Sequence, residues 1–110
     1  MEYHLSYNLD QQNERWDVTL SGEVDIFNSE DLKRELLNLL NMRDAHLYLN
    51  CKDLLFIDST GLGALVAVMK NVKANGRDIH LISPKPNILR LFRITNLDTV
   101  FEIEGGTEDA

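Results

Sequence analysis

What this sequence lacks excludes much before any motif is read. Cys51 is the sole cysteine among 110 residues. An internal disulfide framework and a multi-cysteine zinc site are both impossible. The three histidines, His4, His46 and His80, are scattered, with no HExxH-like spacing. Each falls in a strand-like segment, where an edge or surface position explains it better than metal ligation. The longest apolar run, LGALVAVM, is interrupted by Gly63. It is far short of the ~20 residues a membrane-spanning helix needs. The first residues, MEYHLSYN, have none of the charged, apolar and cleavage regions of a signal peptide. A cytoplasmic location, with no membrane partner, is the expectation. Basic residues are scarce too: eleven stand against eighteen acids, for a net charge of −7. A nucleic-acid binder needs a basic stripe to displace counterions, and an anionic membrane needs the same to hold a soluble domain.

What is present suits one domain over residues 1–110, with an acidic, glycine-rich tail from 103 to 110 expected to fray. At 44% hydrophobic the chain can bury a core without staples. Tyr3, Leu5, Tyr7 and Leu9 alternate, as do Trp16, Val18 and Leu20, and DQQNE lies between. Period-two alternation around a short turn predicts a hairpin. Ser29 is the predicted N-cap of a first helix, with Glu30 and Asp31 in its first turn and a leucine stripe from Leu32 to Leu40. HLYLNC is a strand, and Leu54 to Ile57 is an apolar run. A second helix carries Leu62, Leu65, Val66, Met69 and Val72 and stops at Asn75–Gly76. DIHLIS is a strand, Pro86 opens a third helix, and TVFEI is a last strand.

The order is β-β-α-β-α-β-α-β, which implies an α/β fold with a mixed, mostly parallel sheet. The N-terminal hairpin adds an antiparallel edge strand. Successive parallel strands laid side by side send every crossover over the same face, so helices should cover one side of the sheet. The half-polar strands fit that one-sided burial.

The sharpest local feature is Asp58-Ser59-Thr60-Gly61-Leu62-Gly63, between the apolar run and the second helix. A helix N-terminus offers free N–H groups and favours anions. Ser59 or Thr60 there is either a plain N-cap or a phosphoacceptor, and local sequence alone favours the cap. Enzyme readings are weak. The third glycine of GxGxxG is missing, no GxxxxGK[ST] is present, and Ser59 has no GxSxG elbow. No cofactor or metal site is expected. A second feature is Gly22-Glu23-Val24-Asp25. Strands that lead into helices bring their C-terminal ends to one rim of the sheet, so Asp25, Asp58 and Ser59 could share it.

Taken in order, GEVD, DSTGLG, the helix ending at Asn75–Gly76, IHLIS, and ILRLF running into TNLD and VFEI resemble the STAS family. The closest resemblance is to its single-domain anti-sigma factor antagonists. It implies a binding protein that docks an anti-sigma factor through Asp25, Asp58, Ser59, Thr60, Gly61, Leu62 and Gly63 and so releases a sigma factor. It implies that the partner is also a serine kinase, supplying ATP and magnesium, and that it phosphorylates Ser59, with Thr60 the alternative acceptor. A serine phosphatase would reverse the switch. A second reading in the same family is a small subunit of a membrane-associated transport complex that binds an ATPase without phosphorylation.

Overall fold

The computed structural model describes residues 2–106. Two strands open the chain, β1 (Tyr3–Asp10) and β2 (Arg15–Val24), paired antiparallel with Leu5 opposite Leu20 and Leu9 opposite Trp16. Helix α1 (Ser29–Met42) leads to β3 (His46–Asn50), β4 (Leu54–Ile57) and helix α2 (Ser59–Ala74). Strand β5 (Ile79–Ile82), helix α3 (Pro86–Ile94), a 3-10 turn over Leu97–Thr99 and β6 (Glu102–Glu104) complete the fold. The strand order is β1-β2-β3-β5-β6, parallel after the first pair, and β4 joins β2.

The alternation in the sequence becomes one-sided burial. Trp16, Val18 and Leu20 of β2, Leu47 and Leu49 of β3, and Ile79 and Leu81 of β5 are all buried. They meet Leu32, Leu36 and Leu39 of α1 and Leu65, Val68 and Val72 of α2 in a single core. The intervening residues Arg15, Asp17, Thr19, Tyr48, Asn50 and His80 are half-buried or exposed on the other face. There Arg15 lies 4.3 Å over the Tyr48 ring, which stacks on His80. Helices on one face and a polar open face are therefore as the sequence predicts. The Trp16 indole N–H donates to the Arg43 carbonyl at 3.1 Å, tying the start of β2 to the end of α1. Cys51 is fully buried, and burial pushes its thiol pKa up to about 12, so it acts as a small hydrophobe.

Three local expectations need correcting. The run Leu54–Ile57 is a sixth strand, beyond the five that the sequence predicts. It is four residues long, does not alternate, and pairs only with the last residues of β2, past a register shift at Gly22/Glu23. The extra residue there is Leu55 of β4, and beside it Gly22 has a φ of +93°, where a Cβ would lie 2.4 Å from the Glu2 carbonyl oxygen. The closing strand is displaced. Leu97–Thr99 is a helical turn and the strand is Glu102–Glu104, so Ile103 and Glu104 belong to the sheet rather than to a frayed tail. The remainder of that expected tail, 107–110, lies outside the described residues. Finally, Asn28, not Ser29, caps α1; Ser29 is its first residue and is buried.

Candidate functional site: the rim at the start of α2

Strands β2 and β4 run parallel, with Val24 opposite Ile57, so their C-terminal ends finish side by side. The Asp58 N–H donates to the Val24 carbonyl at 3.2 Å, fixing the turn into α2 against the end of β2. Asp58 itself is the N-cap. Its Oδ1 accepts the Gly61 N–H at 3.0 Å and the Thr60 hydroxyl at 2.6 Å. Those two bonds, the hydroxyl first, hold the Asp58 carboxyl below the usual carboxylate range. The cap is thus an ionised acceptor at neutral pH, not either of the hydroxyl residues.

The two candidate acceptors are thereby separated. Thr60 is half-buried and its hydroxyl is committed to Asp58. Ser59 is exposed and its hydroxyl has no hydrogen-bond partner among the described residues. The remaining candidates differ as sharply. Asp25 is only 9% exposed, and its Oδ1 accepts the Phe27 N–H at 2.9 Å, closing the turn into α1. The Asn28 amide oxygen accepts the Asp25 N–H at 2.8 Å, so this loop is pinned from both ends. Gly61 and Leu62 are buried, whereas Gly63 is exposed. Of the seven residues, then, Ser59 and Gly63 face solvent, Asp58 and Thr60 form the cap, and Asp25, Gly61 and Leu62 support the rim from beneath.

Sequence reasoning missed the apolar surface on either side of this turn. Phe27 is 90% exposed and Ile26 is exposed beside it, in the loop that follows β2. Leu55 and Phe56 of β4 are also exposed. Two adjacent apolar residues in a solvent loop, and four in a row in a short strand, were the available signal. The main clefts lie elsewhere. One is on the open sheet face by Arg15, Tyr48 and Glu104, and another is beside β6. The Ser59 turn is flanked by exposed apolar side chains, a composition suited to docking against another protein. Among the described residues no cluster could hold a metal, and no helix is long and apolar enough to cross a membrane.

The cap makes a stability prediction with a definite sign. The Asp58 pKa is depressed in the folded state, so the cap stabilises above the unfolded carboxyl pKa of about 4 and is lost as pH falls through the lower folded value. Asp58→Asn should lower the melting temperature at pH 7 and flatten its decline below about pH 4. Calorimetry across that range measures both.

The STAS domain profile matches residues 6–110. The anti-sigma-B factor antagonist of Bacillus subtilis (strain 168) is 34% identical over 106 residues, covering 94% of this chain and 96% of its own. That of Staphylococcus aureus (strain NCTC 8325 / PS 47) is 28% identical over 105 residues, covering 96% and 97%. A crystal structure of a candidate anti-sigma factor antagonist from Thermotoga maritima superposes with a TM-score of 0.77 at 26% identity, over 91% of this chain and 85% of that one. The anti-sigma factor antagonist SpoIIAA of Bacillus, solved in unphosphorylated and phosphorylated forms, shares the fold at 21% identity; the unphosphorylated form gives a TM-score of 0.73 over 89% and 87% of the two chains. With the profile spanning nearly all of the sequence, and with the sheet order and the helix-capping rim in place, the chain belongs to the STAS domain family.

Proposed function

We propose that this chain is an anti-sigma factor antagonist: it binds an anti-sigma factor through the rim at the start of α2, and phosphorylation of Ser59 breaks that complex. The observation that carries the reading is the division of the two hydroxyls. Ser59 is exposed with its hydroxyl unshared, while the Thr60 hydroxyl is spent on Asp58. The names of the relatives supply the partner class, and the phosphorylated form of SpoIIAA supplies a precedent for modification. The partner acts as the serine kinase and brings its own ATP and magnesium, a separate phosphatase resets the switch, and this chain contributes no catalytic group.

The chemistry follows from the cap. A free helix N-terminus would capture a phosphate. Here the Asp58 carboxylate already takes the Gly61 N–H, and the Leu62 N–H is taken by the Asp58 carbonyl at 2.9 Å. A phosphate on Ser59, with a charge of about −1.5 to −2, would sit beside an ionised carboxylate with little to neutralise it. It would stay presented to the docked partner, where burying it is costly.

The test is labelling with ATP and the anti-sigma kinase from the same genome, followed by phosphopeptide mapping. Label should fall on Ser59, vanish in Ser59→Ala and persist in Thr60→Val. Label on Thr60, or none on this chain, overturns the proposal.

A further inference from the structure

We propose that Phe27 is the anchor of the rim: its ring seats in an apolar pocket of the anti-sigma factor, bordered by a basic side chain. The inference rests on the function proposed above and names the residue on which that docking depends most.

The fold makes no use of this ring. Phe27 is almost fully exposed, and Ile26 beside it is exposed too. Their loop is shaped by the backbone and by two polar side chains. Asp25 Oδ1 accepts the Phe27 N–H, and the Asn28 amide oxygen accepts the Asp25 N–H. Asn28 Nδ2 donates to the Glu23 carbonyl at 3.0 Å, and the Ser29 N–H donates to the Asp25 carbonyl at 2.9 Å. None of these bonds needs an aromatic residue in the loop. They hold the ring out in water on a fixed backbone, so little freedom remains to be lost on binding. Large aromatic side chains presented in this way are the usual anchors of protein interfaces.

The occupant follows from what the loop is tied to. The Ile26 N–H and the Gly61 N–H both help to hold the Asp58 carboxyl down, so the two segments share one carboxylate. Hydrogen bonds to a single carboxylate place those two backbones within about 8 Å of each other, with Ser59 beside them. A partner that reaches the Ser59 hydroxyl therefore meets Phe27 in the same approach. Charge selects among partners. Glu23 and the ionised Asp58 lie at the ends of β2 and β4 with no ion pair among the described residues. A second copy of this chain would set those anions against their own kind across a two-fold axis, on chains that each carry −7. A surface with an apolar pocket and a basic border is the complement.

Titration calorimetry with the purified anti-sigma factor from the same genome is the test. Phe27→Ala should bind at least about 30-fold more weakly than the wild type, with an unchanged melting temperature. Phe27→Leu keeps an apolar side chain and should stay within about fivefold. Met42 is the control: it is 70% exposed at the far end of the 14-residue α1, about 20 Å from the loop. Met42→Ala should bind like the wild type, and an equal loss in both alanine variants overturns the anchor. Wild-type binding should weaken at least about threefold between about 0.05 and about 0.5 M salt, and indifference to salt overturns the basic border. If the wild type binds and Phe27→Ala binds within about threefold of it, the anchor is refuted while the proposed function stands. A wild type that does not bind refutes both. A dimer of the free chain at about 100 μM that Phe27→Ala abolishes in sedimentation equilibrium gives the ring to a second copy and overturns the inference.

Discussion

Ser59→Asp should weaken binding of the anti-sigma factor by about 100-fold, or about 2.8 kcal/mol, while leaving the fold unchanged. Ser59 is the exposed first residue of α2, so the substitution disturbs no packing and its effect on stability should stay within about 0.5 kcal/mol. The loss arises at the interface. The added carboxylate stands next to Asp58, which is kept ionised by the Thr60 hydroxyl and the Gly61 N–H. A docked surface would have to exclude water from two neighbouring anions instead of one. Ser59→Ala, which removes the acceptor without adding charge, should bind like the wild type and remain bound in the presence of ATP. Titration calorimetry with the purified anti-sigma factor reads all three. Binding of Ser59→Asp within threefold of the wild type would refute electrostatic release.

The two glycines of the same segment should respond to alanine with opposite signs. At Gly61 a Cβ would lie 2.6 Å from Ile57 Cγ1 and 2.8 Å from Val24 Cγ1, both inside the core. Neither neighbour is the free end of a long chain, so α2 must shift away from β2 and β4. Overpacking of this kind costs about 1–3 kcal/mol, against a gain of about 1 kcal/mol for alanine in a helix. Gly61→Ala should be destabilised by up to about 2 kcal/mol net, with a melting temperature lower by roughly 4–8 °C per kcal/mol. At Gly63 a Cβ meets nothing within 4 Å. Gly63→Ala should therefore gain about 0.5–1 kcal/mol from helix propensity alone. Urea unfolding of the two variants measures the contrast, and equal signs would contradict the packing described. Because Val24 and Ile57 carry Asp25 and Asp58 on their next residues, Gly61→Ala should also displace the rim.

Much of the molecule was readable because local periods agree with the final fold. The two-residue alternation of Trp16–Leu20 and His46–Asn50 marked the buried face, and the leucines of α1 marked its partner. Readings failed where a short element is held from outside itself. β4 has too few residues to show a period, and its strand geometry comes from the last residues of β2. The stretch from Thr99 to Ile103 is β-prone in sequence, yet Asn96, with φ of 60°, reverses the chain and opens a helical turn over Leu97–Thr99 that takes Thr99 out of the strand. The exposed pair Ile26 and Phe27 has no periodicity in the sequence to mark it as surface. Only once Asp25 is seen turned inward, accepting the Phe27 N–H, does the apolar pair become the outward face of that loop.

By itself the sequence determined the α/β alternation apart from β4, the one-sided sheet, the segment Asp58–Gly63 as the start of α2, and the absence of a basic stripe, an internal disulfide and a long apolar run. Those depend on residue type, spacing and charge, which the chain carries locally. The tertiary structure decided which hydroxyl is free. Ser59 and Thr60 are neighbours with nearly the same chemistry, and no pattern in the sequence tells them apart. Burial and hydrogen-bond partners do: Asp58, anchored to β2 through the Val24 carbonyl, claims Thr60 and leaves Ser59 in solvent.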